Sequence, residues 1–254
     1  NEFINLALKR YSEICREDNI IAEIIRFNPL LQNHTNFLES SSIEVFSAKD
    51  IIIVNCHDQE EKQLQEFSRS NRRNIRQAGK TCEFKMFEEQ KDIQKFLKIY
   101  YDSLKQLQAS KDWYFSADFF NRVRESEKFK LAQVSDDQAI HSISLVIEHK
   151  LASYYFLTGN KMPRFKGANE LLISGISIDA ANHGIGKLIL GGGNSSSADD
   201  PLLLFKQRFS KEPTTFYMGK LMHHPEIFAE LCNEAIAKKS EIVNMNFFLK
   251  YRLL

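Results

Sequence analysis

Apolar residues at helical spacing open the chain: Phe3, Leu6, Ala7, Leu8, Tyr11 and Ile14 recur with Lys9, Arg10, Glu13 and Arg16 between them, which predicts an amphipathic helix. The isoleucine-rich run 20–27 predicts a strand stopped by Pro29, with a polar loop over 32–42. Residues 43–46 and 51–56 predict two strands joined by a hairpin at Ser47-Ala-Lys-Asp50. A helix and three strands are too little for an independent lobe. Residues 1–60 are therefore expected to be the remnant of one, and residues 61–254 a second unit.

That unit starts with one or two helices over 60–80, with Ser70 as the expected N-cap. A strand at 83–87 precedes a long helix at 91–108, whose Ile93, Phe96, Leu97, Tyr100, Tyr101 and Leu104 form a wide apolar face. Ser116 opens a short helix ending near residue 127. Strands at 130–135, 139–148 and 151–158, separated by Asp136-Asp137 and His149-Lys150, predict an antiparallel meander. A helix at 167–181 capped by His183-Gly184, strands at 187–190 and 214–222, and a helix at 225–239 follow. A last strand at 241–251 carries Val243, Met245, Phe247, Leu249 and Tyr251 on one face and is expected to pair with its own unit or return to the first. The pattern defines a mixed α+β fold with a central, largely antiparallel sheet flanked by helices.

Lysine and arginine number 34 against 33 aspartates and glutamates, so no overall field recruits nucleic acid and any polyanion site must be local. Cys15, Cys56, Cys82 and Cys232 are scattered without a C-x-x-C pair, which indicates neither a disulfide frame nor a zinc site and makes a reducing cytoplasm the expected location. No apolar run approaches the length of a membrane span, and no signal-peptide pattern stands at the N-terminus. The chain opens on Asn1 rather than Met, as a piece of a longer protein would. The histidines at 34, 57, 141, 149 and 183 read as loop or strand-edge residues without carboxylate company, and His223-His224 as a helix start or, equally, as catalytic residues. No Ser-His-Asp or Cys-His pattern can be placed.

Three stretches carry candidate chemistry. In the first, the run 187–190 meets Gly191-Gly192-Gly193, a polar loop follows, and Asp200-Pro-Leu-Leu-Leu-Phe-Lys-Gln-Arg-Phe209 returns to an apolar setting. Leu202, Phe205 and Phe209 fall on one helical face with Lys206 beside it. An ammonium there can meet a developing negative charge, or can be a surface lysine whose stem covers apolar neighbours. In the second, Arg69, Arg73, Arg76 and Lys80 share one helical stripe, able to grip a diphosphate or to stand as a solvated face. In the third, Gly159-Asn-Lys-Met-Pro-Arg-Phe-Lys-Gly-Ala168 runs from a strand into a helix N-terminus. It offers Lys161, Arg164, Lys166 and the backbone of Gly167 and Ala168 to phosphate, or is a solvated basic turn.

The order Gly-Gly-Gly, Asp, Leu-x-x-Phe-Lys-x-x-Phe, Phe-Tyr-x-Gly-Lys resembles the FemAB-like branch of the GNAT acyltransferase superfamily. So do the arginine-rich Ser70-Asn-Arg-Arg-Asn-Ile-Arg-Gln-Ala78 and the run Ile25-Arg-Phe-Asn-Pro-Leu-Leu31. The resemblance covers most of the chain and implies a GNAT-type fold, with residues 1–60 as the end of a first lobe. The implied activity is an N-acyl- or aminoacyltransferase acting on an amine of a cell-wall or surface-polysaccharide precursor. Lys206 beside Phe205 would serve the carbonyl or the precursor phosphate, with Asp200 at the acidic position ahead of it. Arg69, Arg73 and Arg76 would line the cleft for a nucleotide-linked sugar or peptidoglycan-type precursor, with Tyr155 facing it. The loop resembles the one that holds the coenzyme A pyrophosphate in GNAT enzymes, except that Asn169 replaces the final small residue. No cofactor is expected to bind tightly. Acyl-CoA is the implied co-substrate, favoured over aminoacyl-tRNA because the chain is neutral and lacks a long charged helical hairpin. The alternative is a non-catalytic GNAT-fold binding or scaffold module.

Overall fold

The structure, a computed structural model, describes residues 2–87, 93–195, 197–210, 213–241 and 247–253. In chain order the elements are α1 (Glu2–Glu17), β1 (Ala22–Arg26), β2 (Ile43–Asn55), α2 (Glu60–Glu66), α3 (Arg69–Ala78) and β3 (Glu83–Phe87). Then come α4 (Ile93–Gln106), α5 (Ala117–Glu125), β4 (Phe129–Ser135), β5 (Ile140–His149), β6 (Ala152–Asn160) and α6 (Ala168–Asn182). The chain finishes with β7 (Lys187–Gly191), α7 (Pro201–Gln207), β8 (Pro213–Met222) and α8 (Pro225–Lys238). They divide into two compact units, residues 50–214 and residues 1–49 with 215–254. The division thus falls eleven residues before the expected one, and the C-terminal residues join the first unit.

In the unit 50–214 the strand order is β2-β7-β6-β5-β4-β3, antiparallel except for the parallel pair β6–β7. Alternation along the meander sorts its side chains into two layers. Leu131, Ile143, Leu145 and Leu157 pack with Phe96, Tyr100 and Phe120 of α4 and α5. Ala132, Val134 and Val146 take the other face with Leu172, Ile173 and Ile176 of α6, Leu64 of α2 and Ile75 of α3. The sheet is thus covered on both sides. Its α6 buries Leu172, Ile173, Ile176 and the small Ser174 and Ser177 in the second layer, and Ser177 Oγ donates to the Ile173 carbonyl at 2.9 Å.

In the other unit β1 pairs antiparallel with β8, Ala22 opposite Met222, and β8 lies next to β2. Its core is small: Leu8, Phe27, Ile43 and Leu221 are buried, with Ile4, Ile25, Phe37, Val45 and Tyr217 against them.

Four expectations are corrected. Ile43–Asn55 is one continuous strand with no hairpin at 47–50, because Ala48 and Lys49 at the centre of Ser-Ala-Lys-Asp are unsuited to the positive φ of a two-residue turn. The N-cap of α3 is Ser68, whose Oγ accepts the Asn71 amide, rather than Ser70. In place of the last strand, Lys250–Leu253 forms a 3-10 turn, with Phe248 and Tyr251 packed on Phe228 of α8. Residues 242–246 of that strand, like the helix start expected at 91, lie outside the described residues. Finally, Leu203 and Lys206 form the buried face of α7, and Leu202 and Phe205 are half-buried.

Candidate functional site

Helix α3 turns Ile75 and Ala78 into the core and leaves Arg69, Arg73 and Arg76 exposed on the opposite stripe. Its inner side meets the start of α6. Gly167 precedes that helix at φ +88°, and a Cβ there would lie 2.4 Å from the Asn74 carbonyl oxygen, so only glycine lets the two backbones approach. Asn74 Nδ2 donates to Glu170 Oε1 at 2.8 Å across the same joint. This close approach carries Phe165 and Lys166 to the arginine stripe. An open cleft of about 1500 Å³ results, lined by Arg69, Arg72, Arg73, Arg76, Lys80 and Lys166, with Phe165 and a single carboxylate, Asp136.

Asp136 is already engaged. Its Oδ1 accepts the amides of Gln138 and Ala139, both at 2.8 Å, and its Oδ2 lies 2.7 Å from His141 Nε2. The His141 bond, then the two amides, pull its carboxyl down to about 2. The His141 ring rests 4.5 Å from that of Phe165 and so backs the aromatic part of the cleft. His141 therefore has the carboxylate company the sequence reading denied it. So do His57 with Glu66 at 3.4 Å and His183 with Asp179 at 3.5 Å. His224 is the N-cap of α8, as expected of the pair at 223–224, and His223 is fully buried between Ser12 and Glu23.

Of the loop residues expected to hold phosphate, Lys166 lines the cleft, Lys161 and Arg164 are exposed outside its lining, and Gly167 and Ala168 are buried at the joint. The first turn of α6 is partly occupied from within: the Ala168 amide donates to the Phe165 carbonyl, and Glu170 brings its own carboxylate. Asn169, the departure from the GNAT pattern, accepts from Tyr155 Oη at 2.8 Å and Ser142 Oγ at 3.2 Å. Tyr155 thus ties β6 to α6 and packs on the core outside the cleft lining, and burial pushes its phenol up to about 12.

At the glycine turn, Asp200 caps α7. Its Oδ1 accepts the amides of Leu202 and Leu203, and its Oδ2 accepts the amide and hydroxyl of Ser195. Those bonds, the Leu203 amide foremost, lower its carboxyl below the usual range. A Cβ on Gly193 would fall 2.5 Å from Asp200 Oδ1, which accounts for that glycine. With both oxygens committed, Asp200 is a structural cap and offers no free lone pair to a substrate. Lys206 is 8% exposed, and its Nζ donates to the Gly192 carbonyl at 2.7 Å. It stands at the end of β7, where β7 has parted from β6: these parallel strands pair at Ser153–Leu188 and Tyr154–Ile189 and, among the described residues, no further. A register shift against β5 leaves Phe156 of β6 without a paired residue. Phe205 meets Phe209 at 5.3 Å and anchors α7.

The two regions adjoin. The Ser68 amide donates to the Arg208 carbonyl at 2.8 Å, and Phe67 meets Phe209 edge-on at 5.1 Å, so the start of the arginine stripe rests on the end of α7. The sequence reading missed Arg72, Phe165, Asp136 and His141 as parts of the site. Asp136 and His141 were legible only as residues flanking a tight turn. It also missed Asn71, fully buried behind the stripe, whose side-chain amide finds no partner among the described residues.

No protein-family model and no curated protein matches the sequence. Solved structures do match in fold, and they share the mixed α+β arrangement, a largely antiparallel sheet flanked by helices, expected from the sequence. FemX superposes with a TM-score of 0.69 at 13% identity, over 90% of this chain and 79% of that one. The C-terminal domain assigned to a lysylphosphatidylglycerol synthetase of Agrobacterium fabrum gives 0.60 at 14% identity, over 84% and 72%. L-PGS from Bacillus licheniformis gives 0.60 at 12% identity, over 85% and 72%. At these identities the likeness is one of fold. No helix among the described residues is long and apolar enough to cross a membrane.

Proposed function

We propose that the protein is an acyl- or aminoacyltransferase that moves an activated acyl group onto an amine, and that the cleft between α3 and the start of α6 holds the phosphates of its donor or acceptor. The observation that carries this reading is the cleft lining: six cations from two segments some ninety residues apart, against one carboxylate whose oxygens already accept hydrogen bonds from its own neighbours. Guanidinium groups on one helical stripe suit a diphosphate, which accepts paired N–H donors. The fold adds support, since one protein that shares it is named for a product bearing a lysyl group on phosphatidylglycerol. A peptidoglycan-type precursor is an acceptor of the proposed class. The nucleotide-linked sugar expected from the sequence finds no support among the matched structures.

The chemistry falls at the opening between β6 and β7. Backbone groups freed where the strands part can orient an extended acyl carrier, acyl-CoA in the simplest case. The acceptor amine attacks the acyl carbonyl, the carbon–nitrogen bond forms, and the carbonyl oxygen becomes an oxyanion. Collapse expels the thiolate or alkoxide of the donor, and the amine proton passes to water. Lys206, buried at the end of β7, supplies a fixed cation for that oxyanion.

A thermal-shift titration with acyl-CoA thioesters, aminoacyl-tRNA and inorganic pyrophosphate tests the cleft. A ligand held there raises the melting temperature with concentration, and the shift disappears in Arg73→Glu/Arg76→Glu. Release of free thiol on adding an amine acceptor then tests turnover. No shift with any phosphorylated compound would sink the proposal.

A further inference from the structure

The first unit contains a second cluster of chemically capable side chains, independent of the cleft. We propose that Cys15, Glu23 and His223 form a zinc-binding site. Cys15 lies in the last turn of α1, Glu23 is the second residue of β1, and His223 directly follows β8. Pairing of Glu23 with Leu221, and donation by the His223 amide to the Ile21 carbonyl at 2.8 Å, bring the strand ends together beneath the helix. One donor atom from each of the three side chains lies within 4.8 Å of the other two. Cys15 is 2% exposed and His223 0%, while the Glu23 side chain is 27% exposed, so the site is walled by protein and reached from one side.

Thiolate, imidazole and carboxylate form a donor set that suits zinc rather than magnesium or calcium. Two negative ligands neutralise the divalent ion, so the buried site carries no net charge. Ligands around tetrahedral zinc stand roughly 3.2–3.8 Å apart, given bond lengths of about 2.0–2.3 Å, so donor atoms now within 4.8 Å of one another need close by no more than about 1.5 Å on binding. The thiol proton passes to solvent as the metal binds.

The surroundings orient the imidazole. Ser12 Oγ lies 2.7 Å from His223 Nδ1, and His223 Nε2 lies 3.1 Å from Glu23 Oε1. When Nδ1–H donates to Ser12, the lone pair of Nε2 faces the carboxylate, a repulsive pairing that a cation between them makes favourable. Arg16 Nε donates to the His223 carbonyl at 2.7 Å and fixes its backbone. Tyr11 Oη donates to Glu23 Oε2 at 3.1 Å and holds that ligand's second oxygen. A metal here clips α1 to two strand ends in a unit whose apolar cluster under α1, among the described residues, has only Leu8, Phe27, Ile43 and Leu221 buried. The opposite proton arrangement, Ser12 donating to Nδ1 and Nε2–H to Glu23, closes the network with no metal.

Titration of the chelator-treated full chain with zinc, in competition with a chromophoric chelator, and with cobalt by absorption, tests the proposal. One equivalent should bind, with a thiolate-to-cobalt charge-transfer band that is absent from Cys15→Ser and unchanged in Cys82→Ser. The control matters because Cys82, Asp136 and His141 form another such cluster, in which Asp136 is already taken. Ser12→Ala, which keeps every ligand, should weaken zinc about 10–100-fold and serves if Cys15→Ser fails to fold. Absence of stoichiometric binding by the unaltered protein, loss of the band in Cys82→Ser instead, or unaltered affinity in Ser12→Ala would overturn it.

Discussion

The basic cleft and the glycine turn hold their cations in opposite ways. Along α3 the arginines stand in solvent: the Arg76 side chain is 58% exposed, and its nearest carboxylate, on Glu61, lies 4.0 Å away. At the end of β7, Lys206 is 8% exposed and held to the Gly192 carbonyl. An exposed guanidinium costs little to hold and turns freely toward an arriving phosphate, whereas a buried ammonium has lost water, needs a protein carbonyl in its place, and keeps one position. The first setting suits capture and the second suits a fixed charge at a reacting centre. The proposed pairing of exposed capture with buried chemistry depends on two joints, Gly167 against α3 and α7 against Ser68.

The largest expected effect comes from breaking the first joint. Gly167→Ala forces alanine to a φ near +88° and sets its Cβ 2.4 Å from the Asn74 carbonyl. The strain alone costs about 1–3 kcal/mol, and relief of the clash parts α6 from α3. Urea denaturation should show at least that loss, with phosphate affinity falling beside it. Wild-type stability in this variant would mean that the cleft does not depend on the close approach.

Lys206→Met comes next. It strands the Gly192 carbonyl, for about 1–3 kcal/mol of stability, and should lower kcat roughly 10²–10³-fold with little change in ligand affinity. A variant with reduced stability and normal kcat would reduce Lys206 to a structural pin. Arg73→Glu/Arg76→Glu should do the reverse: affinity for the phosphorylated ligand falls at least about tenfold and its salt dependence flattens, while stability moves by about 1 kcal/mol or less. Unfolding of that double variant would place the stripe among the structural charges.

The smallest effect concerns pH. The Asp136 carboxyl is held at about 2, below its unfolded value of about 3.9, so its contribution to stability is complete above about pH 4 and is lost as pH falls from there through about 2. Asp136→Asn should flatten the acid limb of the stability curve in that window and leave neutral pH almost untouched. An unchanged acid limb would show that the His141 bond does not persist in solution.

Periodicity revealed the elements far better than it revealed their faces. The meander and α4 were legible because their runs repeat at 2 or 3.6 residues, and α6 and α8 because glycine or proline marks where they begin. α7 spans only seven residues, and nothing in so short a run shows which side faces inward. Leu203 and Phe209, both buried, orient it and draw Lys206 in with them. The arginine stripe and the basic loop were each legible, but their meeting was not, because it depends on a backbone approach between residues 74 and 167. His141 finds Asp136 only once the β4–β5 turn has folded back, a geometry that spacing alone does not give.

The first unit is assembled from both ends of the sequence, and this has a consequence for synthesis. Residues 50–214 are contiguous, and their strands pair largely with near neighbours in the chain. β1 must wait for β8: Ala22 leaves the ribosome 200 residues before its partner Met222, an interval of roughly 10–40 s at about 5–20 residues per second. Throughout it, α1 has no completed sheet to lie on, and its Phe3 and Leu6, still 80% and 67% exposed in the finished fold, are open to chaperones. The contiguous unit is thus free to fold while the amino-terminal helix is held unfinished until the last strand is made.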